Sequence, residues 1–203
     1  MVGSPTEDEI YLSVGRALHA WETVEEELAL IFGALVGAED TVASMRAYGS
    51  VITSRGRNEM VSAAAGAYFL SHPHPFLESR FRSVMPAVQG YGARRNDLAH
   101  GILRTIRNGE GYVLTPSAYM TQKVKHFVGL TYAYNAAHID AFFVDFLILR
   151  DELSDLTFYM QVFNSARRAY GGMLTPSQIV RLDWLLRFPT LQIPKAQPQP
   201  SEA

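Results

Sequence analysis

Ile10, Val14, Ala17, Trp21, Val24, Leu28, Ile31 and Leu35 recur in alternating steps of four and three. That rhythm is the apolar seam of one long α-helix packed against near-parallel neighbours. Thr6-Glu7-Asp8-Glu9 supplies its start as a capping box, and acids in the first turn suit the positive helix end. Gly37 is the expected stop. Some thirty residues at ~1.5 Å each make a rod of about 45 Å. A rod of that length needs partners along all of it, so the chain must be mainly helical.

The remaining elements follow the same logic. Glu39–Tyr48 and Ser54–Leu70 read as two shorter helices separated near Gly49-Ser50. Ser71-His72-Pro73-His74-Pro75 breaks the helix, because each proline pushes its predecessor out of the helical region. A further helix runs to His100, with Phe81, Val84, Met85, Val88, Tyr91 and Leu98 for its inner face. Pro86 is expected to kink or restart it, and Gly101 to end it. Ile102–Arg107 and Tyr112–Thr115 flank Asn108-Gly109-Glu110-Gly111, which predicts a short hairpin, and Lys123–Phe127 an edge strand. A second long helix is expected from about Leu130 to Leu153, with Ala136, Ile139, Phe143, Phe146 and Leu149 buried. Thr175-Pro176-Ser177-Gln178 opens a last helix, to about Arg187. The expected architecture is all-α in the main, with a long N-terminal helix and one small β-hairpin. A single domain over 1–188 would precede a disordered Pro/Gln-rich tail at 189–203.

Composition narrows the function. Hydrophobic residues make up 48% and charged residues 19%, which is globular rather than disordered. Cysteine is absent, so disulfides, thiolate nucleophiles and Cys-based zinc sites are excluded together. The N-terminus lacks the pattern of a secretory signal. The most apolar stretch, Ala141–Leu149, is about half of the ~20 residues a membrane span needs and contains Asp145. A cytoplasmic protein with no membrane partner is the expectation. The net charge of −2 hides an asymmetry. Residues 1–40 carry nine acids against Arg16, whereas residues 79–108 carry six arginines against Asp97. The two segments either neutralise each other in the fold or leave a local basic face for a phosphate-bearing ligand.

One segment could carry chemistry: Arg94-Arg95-Asn96-Asp97-Leu98-Ala99-His100-Gly101. On a helix, Asn96 and His100 share a face, and the long Arg95 side chain reaches the same rim. A histidine in a last turn sits where the helix end favours its protonated form. An imidazole beside a guanidinium suits a phosphate or a developing oxyanion. The alternative is that His100-Gly101 merely caps the helix while Arg95 pairs with Asp97 or with a glutamate of the first helix. Other groupings point to structure. His72 and His74 read as a rigid solvated loop, and Glu22, Glu25 and Glu26 as a solvated face or ion pairs to the arginine segment. No metal site or cofactor is expected, because the Glu-x-x-His partner of a carboxylate-bridged centre and Gly-rich phosphate loops are missing.

Arg95-Asn96-x-x-x-His100 resembles the Arg-polar-x-x-x-His signature of HEPN domains (higher eukaryotes and prokaryotes nucleotide-binding), and Asn-Asp-Leu-Ala-His-Gly is similar to its common bacterial wording. The order of elements over roughly residues 6–155 is also similar, although only the six motif residues are specific. The resemblance implies an all-α up-and-down helical bundle that forms a homodimer and sets two motif copies face to face. It implies metal-independent RNA cleavage, in toxin–antitoxin or antiphage settings with an antitoxin protein as partner, or else inactive binding of RNA, a nucleotide or a protein. Carried onto this chain, His100 would serve as general base or acid, Arg95 would stabilise the transition state, and Asn96 would hold the histidine or a phosphate oxygen. Arg94 would be an extra phosphate contact, with Arg104 and Arg107 outside it. A purely structural helical scaffold is the remaining alternative. Asp97 inside the motif and the acidic first helix would repel RNA unless those faces point away.

Overall fold

A computed structural model describes residues 3–106, 111–117, 133–172 and 174–187. Its elements are α1 (Glu7–Leu35), α2 (Thr41–Ser50), α3 (Ser54–Ser71), α4 (Pro75–His100), β1 (Ile102–Thr105), β2 (Tyr112–Thr115), α5 (Ala136–Ala169) and α6 (Pro176–Arg187). The architecture is all-α, with a long N-terminal helix and one small antiparallel hairpin. Arg107, the turn residues Asn108 to Glu110, the expected strand Lys123–Phe127, Leu130 and the 189–203 tail lie outside the described residues. The chain forms two compact units, one ending at Gln161 and one beginning at Val162, and the boundary falls inside α5. Among the described residues, no helix is long and apolar enough to cross a membrane.

The first helix forms where its spacing demands. The Thr6 hydroxyl accepts from the Glu9 N–H at 3.3 Å. Of the eight seam residues all but Val14 are buried, and Ile10, Ala17, Val24, Leu28 and Ile31 are wholly enclosed. Each large side chain enclosed in this way stabilises the fold by about 1.5–3 kcal/mol. Gly37 terminates the helix in a left-handed conformation at φ +67°. Ala38 N–H reaches Gly33 C=O at 3.0 Å and Gly37 N–H reaches Ala34 C=O at 3.3 Å, so two end carbonyls are satisfied. The Asp40 carboxylate then accepts from Val42 and Ala43 N–H and starts α2.

Helices α2, α3 and α4 and strand β2 all pack on α1. The first unit's part of α5 joins them through side chains. Phe146 meets the edge of Trp21 at 5.2 Å and Tyr91 of α4 at 5.8 Å. Thr157 donates to Glu27 at 3.0 Å. These elements make a helical bundle around the seam.

Four expectations need correction. The second long helix does not end near Leu153: Leu153, Leu156, Met160 and Phe163 continue the buried series, and α5 runs to Ala169. Pro86 does not restart the helix, because α4 is one element from Pro75 to His100. Pro86 lies on an exposed face, where water can take the carbonyl that its ring leaves unpaired. Ser71–Pro75 does break the chain, yet His74 is not solvated. It is 2% exposed, and its Nδ1 accepts from Leu77 N–H at 3.4 Å as the cap of α4. Glu25, expected on a solvated face or paired with the 79–108 arginines, is buried and bonded elsewhere, as described below.

The hairpin pairs Ile102 with Thr115 and Thr105 with Tyr112, and β1 stops at Thr105 rather than Arg107. The outer edge of β2 is covered: Ser4 exchanges two backbone bonds with Tyr112, and Tyr134 exchanges two with Leu114. Gly101 ends α4 without a left-handed cap. Its backbone is extended at φ −68° and ψ 154°, and a Cβ there would lie 2.5 Å from Leu114 Cγ. Close packing, rather than a special dihedral, requires glycine at the junction. The end of α4 is thereby pressed onto the hairpin. In the second unit, Thr175 and Gln178 close the anticipated reciprocal box, with Thr175 N–H donating to Gln178 Oε1 at 2.7 Å and Gln178 N–H to Thr175 Oγ1 at 3.4 Å.

Candidate functional site at the end of α4

Leu98, 2% exposed, anchors the last turn of α4 in the core, and helical geometry then turns Asn96, Ala99 and His100 outward. His100 is exposed and makes no hydrogen bond or ion pair among the described residues. Arg95 is held at the same rim. Its Nη1 donates to Asn96 Oδ1 at 3.3 Å, and its Nη2 lies 3.6 Å from Glu22 Oε1 of α1. Its Nε is buried and has no acceptor among the described residues. Leaving such a donor unsatisfied costs about 1–3 kcal/mol, so an anion reaching Nε would recover that energy.

Arg94 faces different partners. Its Nη1 donates to the Tyr134 hydroxyl at 2.7 Å and lies 3.1 Å from Asp97 Oδ2, to which Tyr134 also donates at 3.3 Å. Burial pushes the Asp97 carboxyl above its ordinary range, while the Arg94 guanidinium and the Tyr134 hydroxyl pull the other way. The acid inside the motif is therefore engaged by its own helix and by the lead-in to α5. Arg104 is exposed on β1, with Nε donating to Thr115 Oγ1 at 3.2 Å. Arg107 lies outside the described residues.

The structure thus gathers Arg95 and Asn96 and places His100 one turn further on. Arg94 is tied to a separate cluster, and Arg104 stands on the neighbouring hairpin. Of the two pairings considered for Arg95, the contact made is with a glutamate of the first helix, Glu22. Asp97 takes Arg94 instead.

Two groupings escaped the sequence reading. The first is buried Glu25. It accepts from Trp21 Nε1 at 3.2 Å, from the Tyr48 hydroxyl at 2.7 Å and from Arg57 Nη1 at 3.0 Å, while Arg57 Nε donates to Val51 C=O at 2.8 Å. Burial, then the Glu25 charge, drive the Tyr48 pKa far upward, so its hydroxyl stays a donor. A signal existed in part: Trp21 and Glu25 are four apart, and Glu25 adjoins the seam residue Val24. Its partners, 23 and 32 residues away, left no local trace.

The second is a groove between α3 and α4. One end, about 720 Å³, is lined by apolar Ala65, Phe69, Phe81 and Met85 and by the Glu78–Arg82 ion pair. Its other end, about 450 Å³, is lined by Ser54, Asn58, Gln89 and Asn96, so it opens on the motif itself. No family model, curated protein or solved structure matches this chain.

Proposed function

We propose that the chain is a HEPN-like homodimer acting on RNA, with the α4 tips of two copies forming a metal-independent endoribonuclease site. The observation that carries the reading is an exposed His100, without a hydrogen bond or ion pair among the described residues, one turn beyond the Arg95–Asn96 pair, where the buried Arg95 Nε has no acceptor among the described residues. His100 in its neutral form removes the proton of an RNA 2′-hydroxyl. The 2′-oxygen bonds to the adjacent phosphorus, the bond to the 5′-oxygen breaks, and that leaving oxygen takes a proton from water or from the second copy's imidazole. The products are a 2′,3′-cyclic phosphate and a 5′-hydroxyl end. Arg95 balances charge on the phosphorane-like transition state, and Asn96 orients Arg95 through the bond to its Oδ1. A cytoplasmic setting and an antitoxin that masks the site go with this reading.

A catalytically silent dimer that binds RNA or a nucleotide is the second reading. The Glu22 carboxylate 3.6 Å from Arg95 favours it, because it offsets the guanidinium charge that the transition state needs. Incubation with total RNA in excess chelator tests both. The parent is expected to cut RNA, but not a 2′-O-methyl strand. His100→Ala and Arg95→Ala should abolish cleavage while leaving the melting temperature nearly unchanged, since both side chains reach the surface. Equal cleavage by parent and variants would exclude this site. RNA retained without cleavage would select the silent dimer.

A further inference from the structure

The polar end of the α3/α4 groove is a cavity of about 450 Å³, within the usual range for small ligands. Its chemistry is specific. Asn58, Gln89 and Asn96 bring three neutral amides to it and Ser54 a hydroxyl. The charged residues at its rim, Arg55 and Glu59, satisfy each other at 2.7 Å. Neither Asn58 nor Gln89 makes a side-chain hydrogen bond among the described residues, so their donors and acceptors are available. The Asn58 and Gln89 amides each present an acceptor beside two donors, the pattern that matches the edge of a nucleobase, while Asn96, whose Oδ1 accepts from Arg95, adds its N–H donors. The wall at Gly92 carries no side chain, and the Trp21 ring lies directly behind it.

Position connects this cavity to the motif. Asn96 belongs to both, and His100 is one turn, about 6 Å along the axis, beyond it. A base in the cavity would put its own phosphate within reach of Arg95 and His100. RNA is read through unpaired bases splayed out of the strand and hydrogen-bonded on their edges. We propose that the cavity takes an unpaired purine base, adenine best, bonded by Asn58, Gln89 and Asn96, from the nucleotide whose phosphate lies at Arg95 and His100. Adenine is favoured because an amide side chain can pair with it through two hydrogen bonds. The proposal rests on the RNA reading above, and adenosine monophosphate would offer the same chemistry as a base within a strand.

Binding measured by fluorescence anisotropy tests it, with twelve-residue oligo(A), oligo(U) and oligo(C) and with adenosine monophosphate as competitor, using the full chain. The parent should prefer oligo(A) about tenfold, the scale of one good amide–base pair. Ala93→Phe, which fills the cavity from an exposed position, and Gln89→Ala should each bring oligo(A) down to the oligo(U) level. Competition by the mononucleotide at affinity comparable to oligo(A) identifies a free nucleotide as the ligand, whereas failure to compete assigns the base to RNA. Equal binding of all oligomers, with no response to Ala93→Phe or Gln89→Ala, overturns the cavity assignment and leaves the RNA reading standing. Absence of binding to any oligomer or to the mononucleotide overturns both.

Discussion

Glu25→Ala is the most informative test of how the bundle is held at α1. Three donors converge on this one buried carboxylate, from α1 itself (Trp21), α2 (Tyr48) and α3 (Arg57). Removing it strands a Trp21 N–H in the core and a guanidinium whose side chain is only 24% exposed, with the Val51 carbonyl left to serve it. Breaking a buried pair from one side costs about 3–5 kcal/mol, more than the net worth of the bonds, because a desolvated charge is left behind. For a chain of this size each kcal/mol moves the melting temperature by about 2–4 °C, so a fall of about 6–20 °C is expected. Glu25→Gln keeps the shape and an acceptor for Trp21, but it turns an N–H group towards other donors, so it should fall between parent and Glu25→Ala. Glu26→Ala, one position along on an exposed face, serves as control. Urea unfolding followed by circular dichroism at 222 nm measures all three, with the slope checking that the unfolded states are alike. Combining Glu25→Ala with Arg57→Ala should lose less than the two single changes together. The reasoning fails if Glu25→Ala costs no more than Glu26→Ala, or if the double variant is simply additive.

Two further outcomes follow from the α4 end. Gly101→Ala should destabilise by about 1–3 kcal/mol through overpacking, since its Cβ would sit 2.5 Å from Leu114 Cγ. Measured against Leu114→Ala alone, Gly101→Ala should cost less but still something, because Asp97 C=O also lies 2.9 Å from the added atom; an undiminished cost in that background, or no cost in the parent, would contradict the contact. Asp97 tests the electrostatics by sign. Its carboxyl titrates above the ordinary value in the fold, so the folded state holds its proton more tightly than the unfolded one. Stability from this group is present at low pH and is lost as pH rises from the ordinary value through the raised one. Asp97→Asn lacks that loss and should gain on the parent between the two values in urea midpoints measured from acid to neutral pH. A parent that gains on the variant over that window would reverse the assignment.

The difference between what could and could not be anticipated follows from the range of each interaction. The α1 seam, the Thr6 and Thr175 caps and Gly37 depend on residues within about four positions of each other, and the hairpin after His100 joins strands that follow one another in the chain; all were visible locally. Where the spacing reading failed, a local rule met a tertiary exception. Pro86 is tolerated because its face of α4 is open. The Leu153, Leu156, Met160 and Phe163 series continues the buried face of α5 past the polar Ser154 and Asp155. Charges were the least legible. Glu25 and Glu26 look alike in the chain, yet one is buried under Tyr48 and Arg57 and the other is solvated. Only the crossing of α1 with α2 and α3 separates them. The same limit applies to the site. Arg95, Asn96 and His100 form a pattern within five positions of one helix and could be singled out, whereas Asn58 lines a pocket with Asn96 only because α3 lies beside α4. A motif of a few residues can specify a phosphate-handling tip. On the proposed RNA reading, the preference for what is attached to that phosphate comes from residues outside the motif, Asn58 of α3 and Gln89 of α4, acting with Asn96, the motif residue that lines the groove.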